Sequence, residues 1–253
     1  MKTKINDIAM DYKMLGSGKP IVLLHGLALD ARIWSEVVRL YEDQAQFILP
    51  DLRGHGKSET GNANGSLEQF ADDLKQLLDN LDFEKVSLVG HSMGGYISLA
   101  FAEKYPERLD NLIMLTSNAR ADDDDKRKGR LADAEKVLQE GSRFLAEGMA
   151  PKLSKNLEIQ QQSLDIVAAT APDGLSNVLR AIALRPERLD VIAGLEIPVF
   201  AIAGKEDQLM HPQVAFEMAQ AAKCGKAVVL PGVGHMPMLE APLTLGALLI
   251  SAL

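Results

Sequence analysis

The chain has 253 residues, of which 47% are hydrophobic and 25% charged, and its formal net charge is −8. This composition is ordinary for a globular protein, and the acidic balance argues against a nucleic-acid-binding function. The single cysteine, Cys224, excludes an intrachain disulfide and favours a reducing compartment, so we expect a cytoplasmic protein whose thiol is partly buried and structural. Membrane binding is not expected, because no run approaches the roughly 18 apolar residues of a membrane span and residues 1–7 lack the apolar core of a signal peptide.

Strand-like and helix-like segments alternate through the first half of the chain. Residues 2–15, interrupted at Asn6-Asp7, predict an antiparallel hairpin. Ser66 stands three residues before Gln69 as a capping box, which predicts an amphipathic helix from Ser66 to Leu81. Buried strands are predicted at 21–26, 47–51, 86–89, 111–116, 198–204 and 226–230. Further helices are predicted at 33–41, from after Gly94 to near Tyr105-Pro106, at 212–222 and at 238–253. The alternation predicts an α/β fold with a mostly parallel sheet and helices on both faces.

Residues 118–190 interrupt this alternation. The segment is helical in pattern, charged and poor in β-branched runs, which predicts a helical cap inserted into a core of residues 1–117 and 191–253. Breaks at 148–151 and 171–174 predict three or four helices. The acids and then bases of 122–128 predict a solvated helix start, with the acids near the positive end of the helix.

The segment Gly90-His91-Ser92-Met93-Gly94 has the Gly-x-Ser-x-Gly spacing of a nucleophile elbow. A serine in a sharp turn from strand to helix needs neighbours without side chains, because the flanking elements crowd its backbone. The alternative is a chance match in which Ser92 only caps a helix. The strand-like run before the pentapeptide and the apolar helix after it favour the elbow.

A nucleophilic serine needs a base that a third group orients. Of the five histidines, His235 follows the last predicted strand in a Gly-x-Gly-His loop, at the sheet edge where the serine also lies. Glu206 and Asp207 follow the preceding strand, and we favour Asp207 because a Gly-x-x-Asp loop is typical of this architecture. The order Ser92, Asp207, His235 then predicts a Ser-His-Asp triad.

The tetrahedral intermediate of such a reaction carries an oxyanion that backbone N–H groups must stabilise. The amide that follows the nucleophile, on Met93, is one predicted donor. The second is the amide of Leu27, in the loop after the first buried strand. Leu27 and Trp34 are also predicted to line the substrate pocket, with a core position as the alternative for Trp34. No cofactor and no metal is expected.

These segments together resemble serine hydrolases of the α/β-hydrolase fold with a helical cap. The matching segments are His25-Gly26, the loop Asp51–Ser58, Gly90–Gly95, Gly204–Asp207 and Gly234-His235. Within this superfamily, the His25…Asp30…Trp34 spacing and the segment Ala183–Arg188 resemble carboxylesterases and enzymes similar to 3-oxoadipate enol-lactonase. The resemblance implies that Asp51 and Arg53 brace loops.

The resemblance implies hydrolysis of a small carboxylic ester or lactone through an acyl-enzyme intermediate. A serine at position 92 excludes the haloalkane dehalogenases and epoxide hydrolases, which attack with an aspartate there. A C–C bond hydrolase, a thioesterase or amidase, and a perhydrolase stay open on the same triad. A small-ligand receptor or regulatory protein with slow or no turnover is a further alternative. The oligomeric state is not predicted.

Overall fold

A single sheet of eight strands runs through the computed structural model, which describes residues 1–62 and 65–253. The strands are β1 (Lys2–Ile5), β2 (Ile8–Gly16), β3 (Pro20–Leu24), β4 (Gln46–Pro50), β5 (Val86–His91), β6 (Leu109–Leu115), β7 (Val199–Gly204) and β8 (Gly225–Leu230). Their order in the sheet is β1-β2-β4-β3-β5-β6-β7-β8. β2 pairs antiparallel with β1 and β4, and the other pairings are parallel. The predicted hairpin and mostly parallel sheet are confirmed.

Helices connect the parallel strands. They are α1 (Ser35–Tyr41), α2 (Leu67–Asn80), α3 (Met93–Lys104), α4 (Asp124–Glu140), α5 (Arg143–Leu153), α6 (Leu157–Ala168), α7 (Pro172–Ala183), α8 (Leu189–Gly194), α9 (Gln213–Ala221), α10 (Pro237–Glu240) and α11 (Pro242–Ser251). The predicted cap of α2 is confirmed, since the Ser66 side chain accepts a hydrogen bond from the Gln69 amide at 3.3 Å. Across the two described ranges, no helix combines the length and apolar character needed to cross a bilayer.

The strand order creates a crevice at one edge of the sheet. β4 pairs with one side of β3 and β5 pairs with the other, so the chain leaves β3 and β4 in opposite directions across the sheet. Such a switch point opens a crevice outside the carboxyl ends of the two central strands. His25–Leu27 follow β3 and Ser92 follows β5, which places both segments at this crevice.

The segment between β6 and β7 consists of α4 to α7 and the short α8. We call residues 118–190 the helical insertion. The predicted break at 148–151 is wrong, because α5 continues to Leu153 with Pro151 inside it. Breaks fall instead at Gly141, whose φ of +82° favours glycine, and at residues 154–156. Proline removes only the hydrogen bond to the carbonyl of exposed Glu147, where water is available as a donor.

Two other local predictions are corrected by packing. Asp122 is not part of a solvated helix start: its carboxylate is buried and pairs with Arg185 at 2.8 Å and Arg130 at 2.5 Å, and Asp123 caps α4 instead. Cys224 is exposed rather than partly buried, because it lies in the turn between α9 and β8.

The C-terminal segment forms two helices where one was predicted. α10 ends at Glu240 and α11 begins at Pro242, which has no N–H to continue the first helix. Proline is instead favourable in the first turn of a new helix. The short α10 therefore lies directly after the loop that carries His235.

The turn between β5 and α3 packs against β3 without space for side chains. A methyl group on Gly94 would lie 2.7 Å from the carbonyl oxygen of Leu24, and one on Gly90 would lie 2.4 Å from the carbonyl oxygen of Gly94. Real methyl carbons do not approach backbone atoms so closely, so the contact requires glycine at both positions.

We expect Gly94→Ala to lower the free energy of unfolding by about 1–3 kcal/mol, because backbone atoms must move to admit the methyl group. Gly129→Ala in α4 is the matched control: Gly129 is exposed and has open space around it, so alanine should stabilise the helix by about 0.5–1 kcal/mol. Urea denaturation of both variants measures the difference. Equal effects of the two substitutions would contradict the packing argument.

Candidate active site

Ser92 occupies a strained turn. Its φ is +52° and its ψ is −114°, a region that residues with a side chain rarely adopt. The turn is held by three hydrogen bonds: the Ser92 amide donates to the Leu115 carbonyl at 3.0 Å, and the Ser92 carbonyl accepts from the Gly95 amide at 2.9 Å and the Ser117 hydroxyl at 2.7 Å. The serine is half-buried and lies at the N-terminus of α3, where helix amides favour negative charge.

His235 and Asp207 form a buried pair. His235 Nδ1 lies 2.7 Å from Asp207 Oδ2, and the side chains are 2% and 0% exposed. The other carboxylate oxygen of Asp207 accepts from the amides of Leu209 and Met210 at 2.8 and 3.0 Å. Because the carboxylate is an acceptor, Nδ1 carries the proton, and Nε2 is left with a lone pair that can accept one.

The main chain of His235 is bonded to three other parts of the fold. Its carbonyl accepts from His91 Nε2 at 2.9 Å and from Thr116 Oγ1 at 3.3 Å, and its amide donates to the Leu153 carbonyl at 3.0 Å. The rings of His91 and His235 are 5.0 Å apart, and His91 directly precedes Ser92. Within residues 1–62 and 65–253, the Ser92 hydroxyl makes no hydrogen bond to the His235 ring; such bonds are often long in the absence of substrate.

The loop after β3 carries Leu27, and Met93 begins α3. As the first residue of the helix, Met93 has an amide without an acceptor inside the helix. A methyl group on Gly26 would lie 2.8 Å from His91 Nδ1, so glycine lets the loop approach the turn at Ser92. The Thr170 hydroxyl, from the helical insertion, donates to the carbonyl of Ala28 at 2.9 Å and fixes the far end of the loop.

The predicted bracing role of Asp51 and Arg53 is confirmed. The Asp51 carboxylate accepts from the amides of Ala31 at 2.9 Å and Lys57 at 2.8 Å, and so joins the loops that follow β3 and β4. The buried Arg53 guanidinium donates to both carboxylate oxygens of Asp73, at 2.7 and 2.8 Å. These contacts hold the loop 51–58 against the loop after β3, which carries Leu27.

Trp34 is fully buried and packs edge-on against the ring of His91, with 6.5 Å between the ring centroids. Its Nε1 has no hydrogen-bond partner among the described residues. Trp34 therefore packs behind the residue that precedes Ser92, and lining of the substrate pocket by Trp34 or by the half-buried Leu27 stays a prediction.

The family model for the α/β-hydrolase fold matches residues 19–147. The chain belongs to the α/β-hydrolase fold family. A thermophilic esterase from Thermogutta terrifontis with malate bound is 31% identical to this chain, with a TM-score of 0.96 over 99% of this chain and 97% of the other. An enol-lactonase from Burkholderia xenovorans LB400 shares the fold at 23% identity, with a TM-score of 0.91 over 99% and 98% of the two chains.

Sequence comparison gives the same family. An (E)-2-((N-methylformamido)methylene)succinate hydrolase of Acinetobacter baylyi is 26% identical over 94% of this chain and 91% of its own length. The predicted resemblance to the α/β-hydrolase superfamily is thus confirmed, and hydrolysis is the chemistry that these relatives support.

The segment Ala183–Arg188 anchors the helical insertion of this α/β hydrolase to the core. Arg185 lies 4.0 Å from the centre of the Tyr96 ring and pairs with Asp122 at 2.8 Å. Arg188 pairs with Glu103 at 2.8 Å and also with Glu68 on α2. Both arginine side chains are buried, so this segment attaches the insertion to α2 and α3, while the pair with Asp122 joins two parts of the insertion itself.

Three residues that hold His235 in this α/β hydrolase were not predicted from the sequence. Thr116 and Leu153 act through a hydroxyl and a main-chain carbonyl, for which the sequence has no signal. Glu240 accepts from the amides of Gly234 and Met236. A carboxylate soon after a Gly-x-Gly-His loop, in a turn that begins with proline, is a signal that could have identified Glu240.

Three buried histidines surround the site in their neutral form. Burial disfavours the imidazolium and lowers the pKa of His25 to about 4 and that of His55 to about 3. Burial likewise lowers the pKa of His91 well below its ordinary value, and the nearby His235 adds to this effect. The neutral state agrees with the hydrogen bonds, since His25 Nε2 accepts from the Leu52 amide at 3.0 Å.

These shifts predict a protein that loses stability as pH falls below 6.5. In the unfolded chain each histidine takes up a proton near pH 6.5, whereas in the folded protein His25 and His55 stay neutral down to about pH 4 and 3. Each such proton lowers the free energy of unfolding by about 1.4 kcal/mol per pH unit. Urea denaturation at pH 7 and pH 5 measures the slope. His55→Gln should lower this slope by the contribution of one proton, about 1.4 kcal/mol per pH unit. The same slope in His55→Gln and wild type would contradict the assignment. His211→Gln, at an exposed position, is the control.

Proposed function

We propose that this protein is a serine hydrolase that cleaves a small carboxylic ester or lactone through an acyl-enzyme intermediate, with Ser92, His235 and Asp207 as its triad. The observation that carries the proposal is the buried hydrogen bond of 2.7 Å between His235 and Asp207, in a loop bonded to the residue next to Ser92. This bond sets the tautomer that a general base for serine requires. The esterase that is 31% identical to this chain supports an ester substrate.

In the proposed mechanism, His235 Nε2 takes the proton of Ser92 as Oγ attacks the acyl carbon. The oxyanion accepts hydrogen bonds from the amides of Leu27 and Met93, and His235 then gives its proton to the leaving alkoxide oxygen. A water molecule, deprotonated by His235, attacks the acyl-enzyme and releases the carboxylic acid while Ser92 regains its proton. Asp207 orients the ring and stabilises the imidazolium throughout.

The ester or lactone class rests on the relatives and on the resemblance of the sequence. The enol-lactonase shares only the fold, and the succinate-derivative hydrolase is a further hydrolytic relative. We propose that residues 118–190 form a cap over a core of residues 1–117 and 191–253, and that the cap selects the acyl and alcohol groups. Its hydrogen bonds to Ala28 and His235 support this proposal, because both residues lie in loops of the proposed site.

We expect Ser92→Ala and His235→Ala each to lower kcat by about 10⁴-fold or more while the folded structure is kept, because the triad acts as a unit. A panel of p-nitrophenyl esters and lactones measures turnover, and a fluorophosphonate probe followed by mass spectrometry locates the labelled serine. His211→Ala and Ser251→Ala, at exposed positions, are the matched controls. Ester turnover by Ser92→Ala at the wild-type rate would refute the proposal, and ligand binding without turnover in the wild type would favour a receptor.

A further inference from the structure

One carboxylate bridges the two residues on either side of His235. Glu240 Oε2 accepts a hydrogen bond from the Gly234 amide at 2.9 Å, and Glu240 Oε1 accepts from the Met236 amide at 3.0 Å. Hydrogen bonds to an ionised acceptor are stronger than those between neutral groups. The pair of bonds therefore fixes the peptide unit that precedes Gly234 and the peptide unit that joins His235 to Met236.

A short turn brings the Glu240 carboxylate to the amides of Gly234 and Met236, and we call this arrangement the clamp. Pro237 begins α10, and Glu240 ends it, so the chain folds back and brings the carboxylate to the preceding loop. A methyl group on Gly234 would lie only 3.1 Å from Glu240 Oε1, so glycine at 234 allows the close approach. The Glu240 residue is half-buried, which limits competition from water for the two amides.

The clamp is not explained by stabilisation of α10 itself. A negative charge at the C-terminal end of a helix opposes the helix dipole, and α10 is only four residues long. The carboxylate instead satisfies amides outside the helix, in the loop that carries the proposed general base. The position of the carboxylate is explained by the hydrogen bonds that it accepts from the residues on either side of His235.

We propose that Glu240 is a positioning residue that sets the direction of the His235 ring, an inference that rests on the proposed function. Asp207 holds Nδ1, and His91 and Thr116 hold the carbonyl of His235. Glu240 supplies the remaining constraint, because it fixes the backbone on both sides of the ring. Without it, the ring can rotate away from Ser92 while the bond to Asp207 weakens.

We expect Glu240→Ala to lower kcat for p-nitrophenyl acetate by about 10- to 100-fold with KM within about threefold of wild type, because misplacement of a catalytic group acts on the chemical step. Glu240→Gln keeps one acceptor oxygen and should lie between Glu240→Ala and wild type. The low-field proton NMR signal of His235 Nδ1–H should shift or broaden in the same order. Glu59→Gln is the matched control, since the Glu59 carboxylate accepts from the Ala9 amide at 2.8 Å outside the site.

Unchanged kcat and an unchanged NMR signal in Glu240→Ala would overturn the inference, as would a loss of activity confined to KM. If Glu240→Ala does not fold, Glu240→Gln provides the test, with urea denaturation as the check on folding. Failure of the proposed function is distinguishable: a wild-type protein that neither hydrolyses the ester nor reacts with fluorophosphonate at Ser92 refutes the triad. The NMR signal can be measured without turnover. Even if the protein has no esterase activity, a shifted signal in the Glu240 variants supports positioning by Glu240, and an unchanged signal overturns the inference.

Discussion

The main-chain carbonyl of His235 is the point at which distant parts of this fold are joined. It accepts hydrogen bonds from His91 at the end of β5 and from Thr116 just after β6, while the adjacent amide donates to Leu153 in the helical insertion. A loop on a sheet edge has few backbone partners of its own, so these bonds determine where the imidazole lies. The strained turn at Ser92 is held in the same way, through Leu115 and Ser117.

The helical insertion is bonded to two of the loops at the sheet edge. Thr170 donates to the carbonyl of Ala28 in the loop after β3, and Leu153 accepts from the amide of His235. A movement of α5 or α6 would therefore be transmitted to the proposed base and to the proposed oxyanion donor. These two contacts restrict how far the helices of the insertion can shift relative to the two loops.

Buried arginines attach the loops and the insertion to the core. Arg53 pairs with Asp73 and Asp7, and Arg188 pairs with Glu103. Arg185 pairs with Asp122 inside the insertion and lies over the ring of Tyr96 in the core. Removing such charges from water is costly, and a buried ion pair can add little net stability. Each guanidinium has donors in a fixed geometry, so we infer that these pairs contribute chiefly to the orientation of the segments they connect.

The amino-acid sequence by itself determined the strand and helix order, the elbow at Ser92 and the pairing of His235 with an acid after β7. Apolar periodicity, glycine spacing and capping residues are local signals, and they are present in any segment that must adopt these forms. Only the tertiary structure decided the burial of Asp122, the continuity of α5 through Pro151, the split between α10 and α11 and the clamp by Glu240. The burial of Asp122 and the clamp by Glu240 depend on the partners of these carboxylates, and the continuity of α5 depends on the solvent exposure of Glu147. The split between α10 and α11 depends on whether Pro242 interrupts one helix or begins another. Asp122 is the clearest case, because its partner Arg185 lies 63 residues away along the chain and no local preference can report it.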